Sequence, residues 1–241
     1  MLGALLTSAL VTTLLTGALV LRAGASGAAA SGAPTVSSVL AAAKAAVAKQ
    51  TAVHLVVDSK SSSSSTAEQV VADLGKKSGT ESISDGKDSV TIVVTPPYGY
   101  VSGNSGGLSK IVGLTSSEIK KVGHKWIALK AGTSQYTSLA TDIRISSVQT
   151  LLPQAKGTTL SVETTTPAHL YVLKWTTAAS SSNPKLSTTL TFPVAGATLP
   201  IQEITTASGS RETVTLSKWG EFVRIVGPPL SQTIPYSKVP G

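Results

Sequence analysis

The sequence predicts an α+β fold: one large, curved antiparallel β-sheet with helices packed on one face. Three observations lead there. Ser and Thr are exceptionally frequent while charged residues are only 13% and aromatics 4%, and Thr suits strands as Ser suits turns. The spacing of apolar residues is two along most of the chain and helical in two blocks. In the last third, strand candidates succeed each other with no helix between them, which makes neighbours antiparallel.

The 241 residues divide unequally. Residues 1–25 read as a signal peptide or an N-terminal membrane anchor, because Ala4 to Leu21 carries no charge and is just long enough to span a bilayer. Ala23-Gly24-Ala25 offers an A-x-A cleavage pattern. Two features depart from a standard signal: no Lys or Arg precedes the apolar run, and Arg22 lies beyond it. Either way the chain is expected to be exported, to the cell envelope or the medium. Residues 26–33, rich in Gly, Ala and Ser, form a flexible tether. Residues 34–241 are read as a single domain, with 41% hydrophobic residues over the whole chain to build its core.

Within that domain Pro34 to Lys49 is Ala-rich, and Val36, Val39, Leu40, Ala43 and Val47 make one helical stripe. Strands are predicted at His54–Ser59, Glu68–Leu74, Gly79–Ser84, Ser89–Thr95 and Tyr98–Ser102, with Asp85-Gly86 as a hairpin turn. A helical block follows. Leu108, Ile111 and Val112 form a short amphipathic turn closed by Gly113, and Thr115-x-x-Glu118 is a capping box that turns Ile119 and Val122 inward. Trp126–Lys130 reads as a strand, and Ser134–Ala140 and Ser146–Leu152 as helices. The chain then returns to strands at Leu160–Thr165, His169–Thr177, Leu186–Phe192, Leu199–Thr206, Glu212–Lys218 and Phe222–Val226.

Charge and chemistry narrow the function. The net charge is +8, but the basic residues stand singly or in pairs such as Lys76–Lys77 and Lys120–Lys121. No basic stripe with interleaved aromatics is present, so nucleic acid is not an expected partner, whereas an anionic envelope surface is compatible. With no cysteine, thiol catalysis, thiolate metal sites and attachment through a lipidated cysteine are excluded. His54, His124 and His169 are far apart in sequence and lack metal-ligand spacing, so no metal or cofactor is expected. Gly103-Asn104-Ser105-Gly106-Gly107 matches the G-x-S-x-G of hydrolase nucleophiles, with Asp142 and His169 downstream in the right order. The β-α alternation of that fold is missing, and the pattern is cheap in a chain this rich in Gly and Ser. Ser117-Glu118-Ile119-Lys120 matches S-x-x-K with none of its companion motifs.

Three stretches resemble the actinobacterial LppX/LprG-type envelope lipoproteins: Tyr98-Gly99-Tyr100-Val101-Ser102-Gly103-Asn104, Gly123-His124-Lys125-Trp126-Ile127, and Leu216-Ser217-Lys218-Trp219-Gly220-Glu221 with Gly227-Pro228-Pro229 after it. The resemblance implies a half-open barrel whose concave side, closed by helices, holds the acyl chains of a lipid or lipoglycan. Members generally carry a lipobox cysteine; here Ala25 stands in its place. On this reading the expected function is an exported, non-enzymatic, monomeric carrier of a lipid or other acylated amphiphile, with an apolar cavity. The lining is assigned to Ile92, Val94, Val101, Ile111, Val112, Ile119, Trp126, Val172 and Leu190. Two alternatives stand beside it: a surface module with no ligand cavity, and a serine hydrolase using Ser105.

Overall fold

The structure, a computed structural model, describes residues 33–239 apart from 63, 65, 166–167 and 180–183. The targeting segment, and the tether up to residue 32, lie outside the described residues. Helix α1 (Val36–Lys49) starts where Thr35 caps it: Ser38 N–H donates to Thr35 Oγ1 at 3.1 Å, and Ser38 Oγ accepts from Thr35 N–H at 2.9 Å. Its stripe of Val39, Leu40, Ala43 and Val47 is buried as the spacing predicts.

Twelve strands then build one open sheet: β1 (Ala52–Ser61), β2 (Glu68–Gly75), β3 (Gly79–Asp85), β4 (Asp88–Val94), β5 (Tyr98–Gly103), β6 (Trp126–Lys130), β7 (Thr159–Thr165), β8 (Ala168–Thr177), β9 (Leu186–Pro193), β10 (Gln202–Ala207), β11 (Ser210–Ser217) and β12 (Thr233–Pro235). Their spatial order is β12-β6-β5-β4-β3-β2-β1-β11-β10-β9-β8-β7. The two antiparallel meanders, β1–β6 and β7–β11, are joined by the long-range β1–β11 pair. Between them the chain forms α2 (Ser105–Lys110), α3 (Ser116–Val122), α4 (Ser134–Asp142) and a 3-10 helix at Ile145–Leu151. That last element was expected as an α-helix.

Alternation assigns the faces. Val53, Leu55 and Val57 of β1 share one face with Val70, Ala72 and Leu74 of β2 and with Val214 and Leu216 of β11. All eight are buried. Helix α4 covers this inner face, because a Cβ on Gly99 of β5 would touch Leu139 and Tyr136. The inner face carries two separate apolar clusters. One spans β1–β6 with α2, α3 and α4; the other joins α1 to Leu173, Leu190 and Phe192 of β8 and β9. Strand β10 divides them, since its inward residues Glu203, Thr205 and Ala207 supply no large apolar side chain.

The C-terminal segment departs from the sequence reading. Phe222–Val226 is extended but belongs to no strand. Both edges of β11 are already occupied, by β1 and β10, so the chain cannot continue the meander. Lys218 (φ 51°) and Gly220 (φ 75°) turn it around the end of β1, where Gly220 N–H donates to Ala52 O at 2.8 Å. Residues 221–229 then run across the outer face: Gly227 lies so close to the Tyr100 ring that a Cβ would stand 2.6 Å from it. Tyr100 points away from the α4 side because its neighbours Gly99 and Val101 point towards it. At the far edge Thr233–Pro235 adds β12 parallel to β6, the one parallel pair among the described residues in a sheet expected to be wholly antiparallel, and Val239 returns fully buried to the first cluster.

Candidate functional site

Register places a continuous polar row across the inner face. From β4 to β9 the cross-strand partners are Asp88, Asp85, Glu68, Ser59, Glu212, Thr205 and Thr188. One step deeper the row is apolar, running Val90, Ile83, Val70, Val57, Val214, then Glu203, then Leu190 and Leu173. Glu203 thus interrupts an apolar row, and Glu81 does the same one step further in, between Ala72 and Ile92.

A cleft of about 310 Å³ opens along the polar row, lined by Ser59, Thr66, Glu68, Asp85, Thr205 and Glu212 together with Pro184, Leu186 and Ala207. Asp85 on β3 and Leu186 on β9 lie five strand spacings apart, which would be about 24 Å in a flat sheet. Their meeting in one cleft of this size is the direct expression of the sheet's curvature. Lys60 and Arg211 also border the cleft, but as cross-strand partners on the alternate positions they belong to the outer face and form its rim.

Each acid in the row has its own environment. Asp88 is buried and paired with Lys110 of α2. Asp85 accepts from Thr66 Oγ1 at 2.6 Å, and Glu212 from Ser59 Oγ at 3.2 Å. Burial holds Glu68 and Glu212 above the usual carboxylate range, and repulsion from Asp85 and Glu68 respectively adds to it. Burial, with repulsion from Glu212, pushes Glu203 up to about 7, although Thr205 Oγ1 donates to its Oε1 at 3.3 Å. The other oxygen, Oε2, is buried with no hydrogen-bond partner among the described residues. Glu81 is likewise raised to about 7, by burial and then by Asp142 and Glu68. The site is therefore a cleft walled by the carboxyl groups of Glu68, Asp85 and Glu212, with Pro184, Leu186 and Ala207 as its apolar contacts.

None of the residues assigned to an apolar lining borders this cleft. Ile92, Val94, Val101 and Val112 are buried together in the first cluster, with Ile111 and Ile119 packed against it. Leu190 belongs to the second cluster. Val172 is buried on the face of β8 opposite to Leu173, and half-buried Trp126 alternates with inward Ile127. The carboxyl row itself is absent from the sequence reading. Its signal was parity: Glu68 is in phase with Val70, Ala72 and Leu74, and Glu212 with Val214 and Leu216.

The Ser105 motif has a packing role. Asn104 caps α2, its Oδ1 accepting from Gly107 N–H at 2.7 Å while its Nδ2 donates to Lys87 O at 2.7 Å. A Cβ on Gly103, Gly106 or Gly107 would collide with Ser89 or Asp88 of β4, so the glycines let the helix lie directly on that strand. Ser105 is exposed. The histidines are engaged or placed elsewhere: His54 Nδ1 lies 2.8 Å from Asp73 Oδ1 on the outer face, His169 Nδ1 lies 3.1 Å from Thr164 Oγ1 in the β7–β8 hairpin, and His124 is exposed after α3. Among the described residues no group of three or more His, Cys, Asp or Glu could hold a metal ion.

Fold and site together define an α+β protein whose open, curved sheet carries a carboxyl-walled cleft on its helix-covered face. No family model matches the chain, and no curated protein matches it. Among solved structures the chain is similar to LprF from Mycobacterium bovis, at 15% identity over 80% of this chain and 96% of that one, with a TM-score of 0.49. It is similar to the lipoprotein LppX of Mycobacterium tuberculosis at 14% identity, over 79% and 99% of the two chains, with a TM-score of 0.49. A protein of the DUF1329 family from Desulfovibrio piger aligns at 8% identity over 80% and 96%, with a TM-score of 0.32.

Proposed function

We propose that this is an exported, non-enzymatic envelope protein that binds and carries a lipid-like amphiphile in the cleft along the carboxyl row. The observation that carries the reading is the cleft itself. At about 310 Å³ it lies at the lower end of the ~300–1,000 Å³ range of small-molecule sites. It takes a single acyl chain or small amphiphile, with apolar contact from Pro184, Leu186 and Ala207. The walls set the head group. Glu68, Asp85 and Glu212 repel an anionic head and accept hydrogen bonds from a hydroxylated or amine-bearing one.

The test is native mass spectrometry of protein purified from its own envelope, followed by titration of stripped protein with a fluorescent monoacylglycerol and with the corresponding fatty acid. Co-purification of an acyl species, monoacylglycerol binding that exceeds fatty-acid binding at neutral pH, and its loss in Ala207→Trp support the reading. An empty protein that binds neither probe overturns it. One observation favours the second reading, a surface module without a ligand: the apolar residues of the first cluster are buried against one another. The same empty protein is the result that reading expects.

A further inference from the structure

We propose that the C-terminal strap crossing the outer face docks the protein on an anionic bilayer surface. The strap is extended, so alternate side chains point opposite ways: Val223 and Ile225 are half-buried against the sheet, while Phe222 and Val226 point outward. Phe222 is 90% exposed, Val226 63% and, further along, Leu230 73%. Five large apolar side chains are exposed among the described residues, and three of them lie in this nine-residue stretch. Scattered surface hydrophobics need no explanation, but a row of them on one fixed segment does.

The segment is held in place at both ends and in the middle. The turn at Gly220 ties it to β1, Gly227 presses on Tyr100, and β12 pairs with β6. Its apolar residues are therefore presented on a firm platform. Arg224 stands between Phe222 and Val226 on the outward side. The register Thr233 to Trp126 puts exposed Lys125 at the far end of the strap. Glu221 is the one acid on the strap, against a chain whose net charge is +8. Apolar side chains flanked by cations are the combination that binds a negatively charged interface, the first by burial at the head-group boundary and the second by attraction to the lipid charge. The proposal uses a different surface from the cleft and rests on the envelope location alone. Purified protein tests it whether or not the cleft binds an amphiphile.

The absence of native cysteine makes a site-specific probe simple. The full chain carrying Val226→Cys, labelled with an environment-sensitive fluorophore, is mixed with vesicles of phosphatidylcholine alone or of phosphatidylcholine and phosphatidylglycerol in equal parts. Ser187→Cys on β9, also exposed, is the control. The expected result is a blue shift and at least about a twofold rise in emission at position 226 on the anionic vesicles, reversed by about 0.5 M salt and by an added Phe222→Glu. The control should stay aqueous even where the N-terminal segment anchors the chain. An aqueous signal at 226 on anionic vesicles overturns the proposal. Equal shifts at 226 and 187, or a shift on phosphatidylcholine that salt does not reverse, overturn it too.

Discussion

Replacing Glu203 with Gln separates the cost of its charge from the rest of the fold. Burial, helped by Glu212, raises this carboxyl from 4.5 to about 7. The folded protein therefore holds the proton more tightly than the unfolded chain does. The stability due to that proton is fully present below about pH 4.5 and is lost as the pH rises through 7. At ~1.36 kcal/mol per pH unit the rise is worth about 3 kcal/mol. Gln is neutral throughout and keeps the acceptor for Thr205. It leaves two orphan amide hydrogens where the protonated acid leaves one hydroxyl, a difference of ~1 kcal/mol at low pH. Urea denaturation followed by Trp fluorescence should show Glu203→Gln within about 1 kcal/mol of wild type, on the less stable side, near pH 4.5 and more stable by about 2 kcal/mol near pH 8. The variant should still lose stability with rising pH, because Glu81 is also raised to about 7, and adding Glu81→Gln should flatten the profile. Parallel profiles for wild type and Glu203→Gln would refute the reasoning.

Two further outcomes follow from packing. A Cβ at Gly107 would run into the backbone of Ser89, so Gly107→Ala should cost about 3 kcal/mol, while Ser105→Ala at the exposed position should stay within about 0.5 kcal/mol of wild type. Thermal denaturation of both separates a packing motif from a nucleophile motif. Val239, fully buried at the end of the strap, should be intolerant of charge: Val239→Asp should lower stability by more than about 3 kcal/mol, and an unchanged urea midpoint would mean that the chain end does not close the core.

What the sequence made legible was local. Alternation located eleven strands, the Asp85-Gly86 hairpin has its two-residue loop, and the Thr115–Glu118 capping box forms, Thr115 N–H donating to Glu118 Oε2 at 2.8 Å. Burial of Ile92, Val94, Val101 and Leu190 was equally legible from period two. Periodicity reports which side chains turn inward, however, and not whether the space they enter is filled. The carboxyl row depended on register between distant segments: Ser59 and Glu212 meet across 153 residues. The strap escaped because its apolar alternation is that of a strand, while the full occupancy of both β11 edges is a property of the assembled sheet. β12 has only three residues and pairs with a strand over a hundred positions earlier.

The least economical feature of this core is also the one most tied to the proposed function. Replacing Glu203 with Leu would continue the apolar row from Val214 to Leu190 and join the two clusters that β10 now holds apart. It would also remove a buried carboxyl whose Oε2 has no partner among the described residues. Replacing a buried ionisable group by an apolar one of similar volume is often neutral or stabilising by ~1–4 kcal/mol. If the seam served only to fill space, Glu203→Leu would raise stability and change nothing else. On the carrier reading the seam keeps the cleft hydrated and its two walls separable, so the same substitution should raise the urea midpoint at pH 7 while weakening monoacylglycerol binding, the exchange of stability for function expected where a site is retained against the interest of the core. A variant that is more stable and binds as wild type does would remove the seam from the binding mechanism.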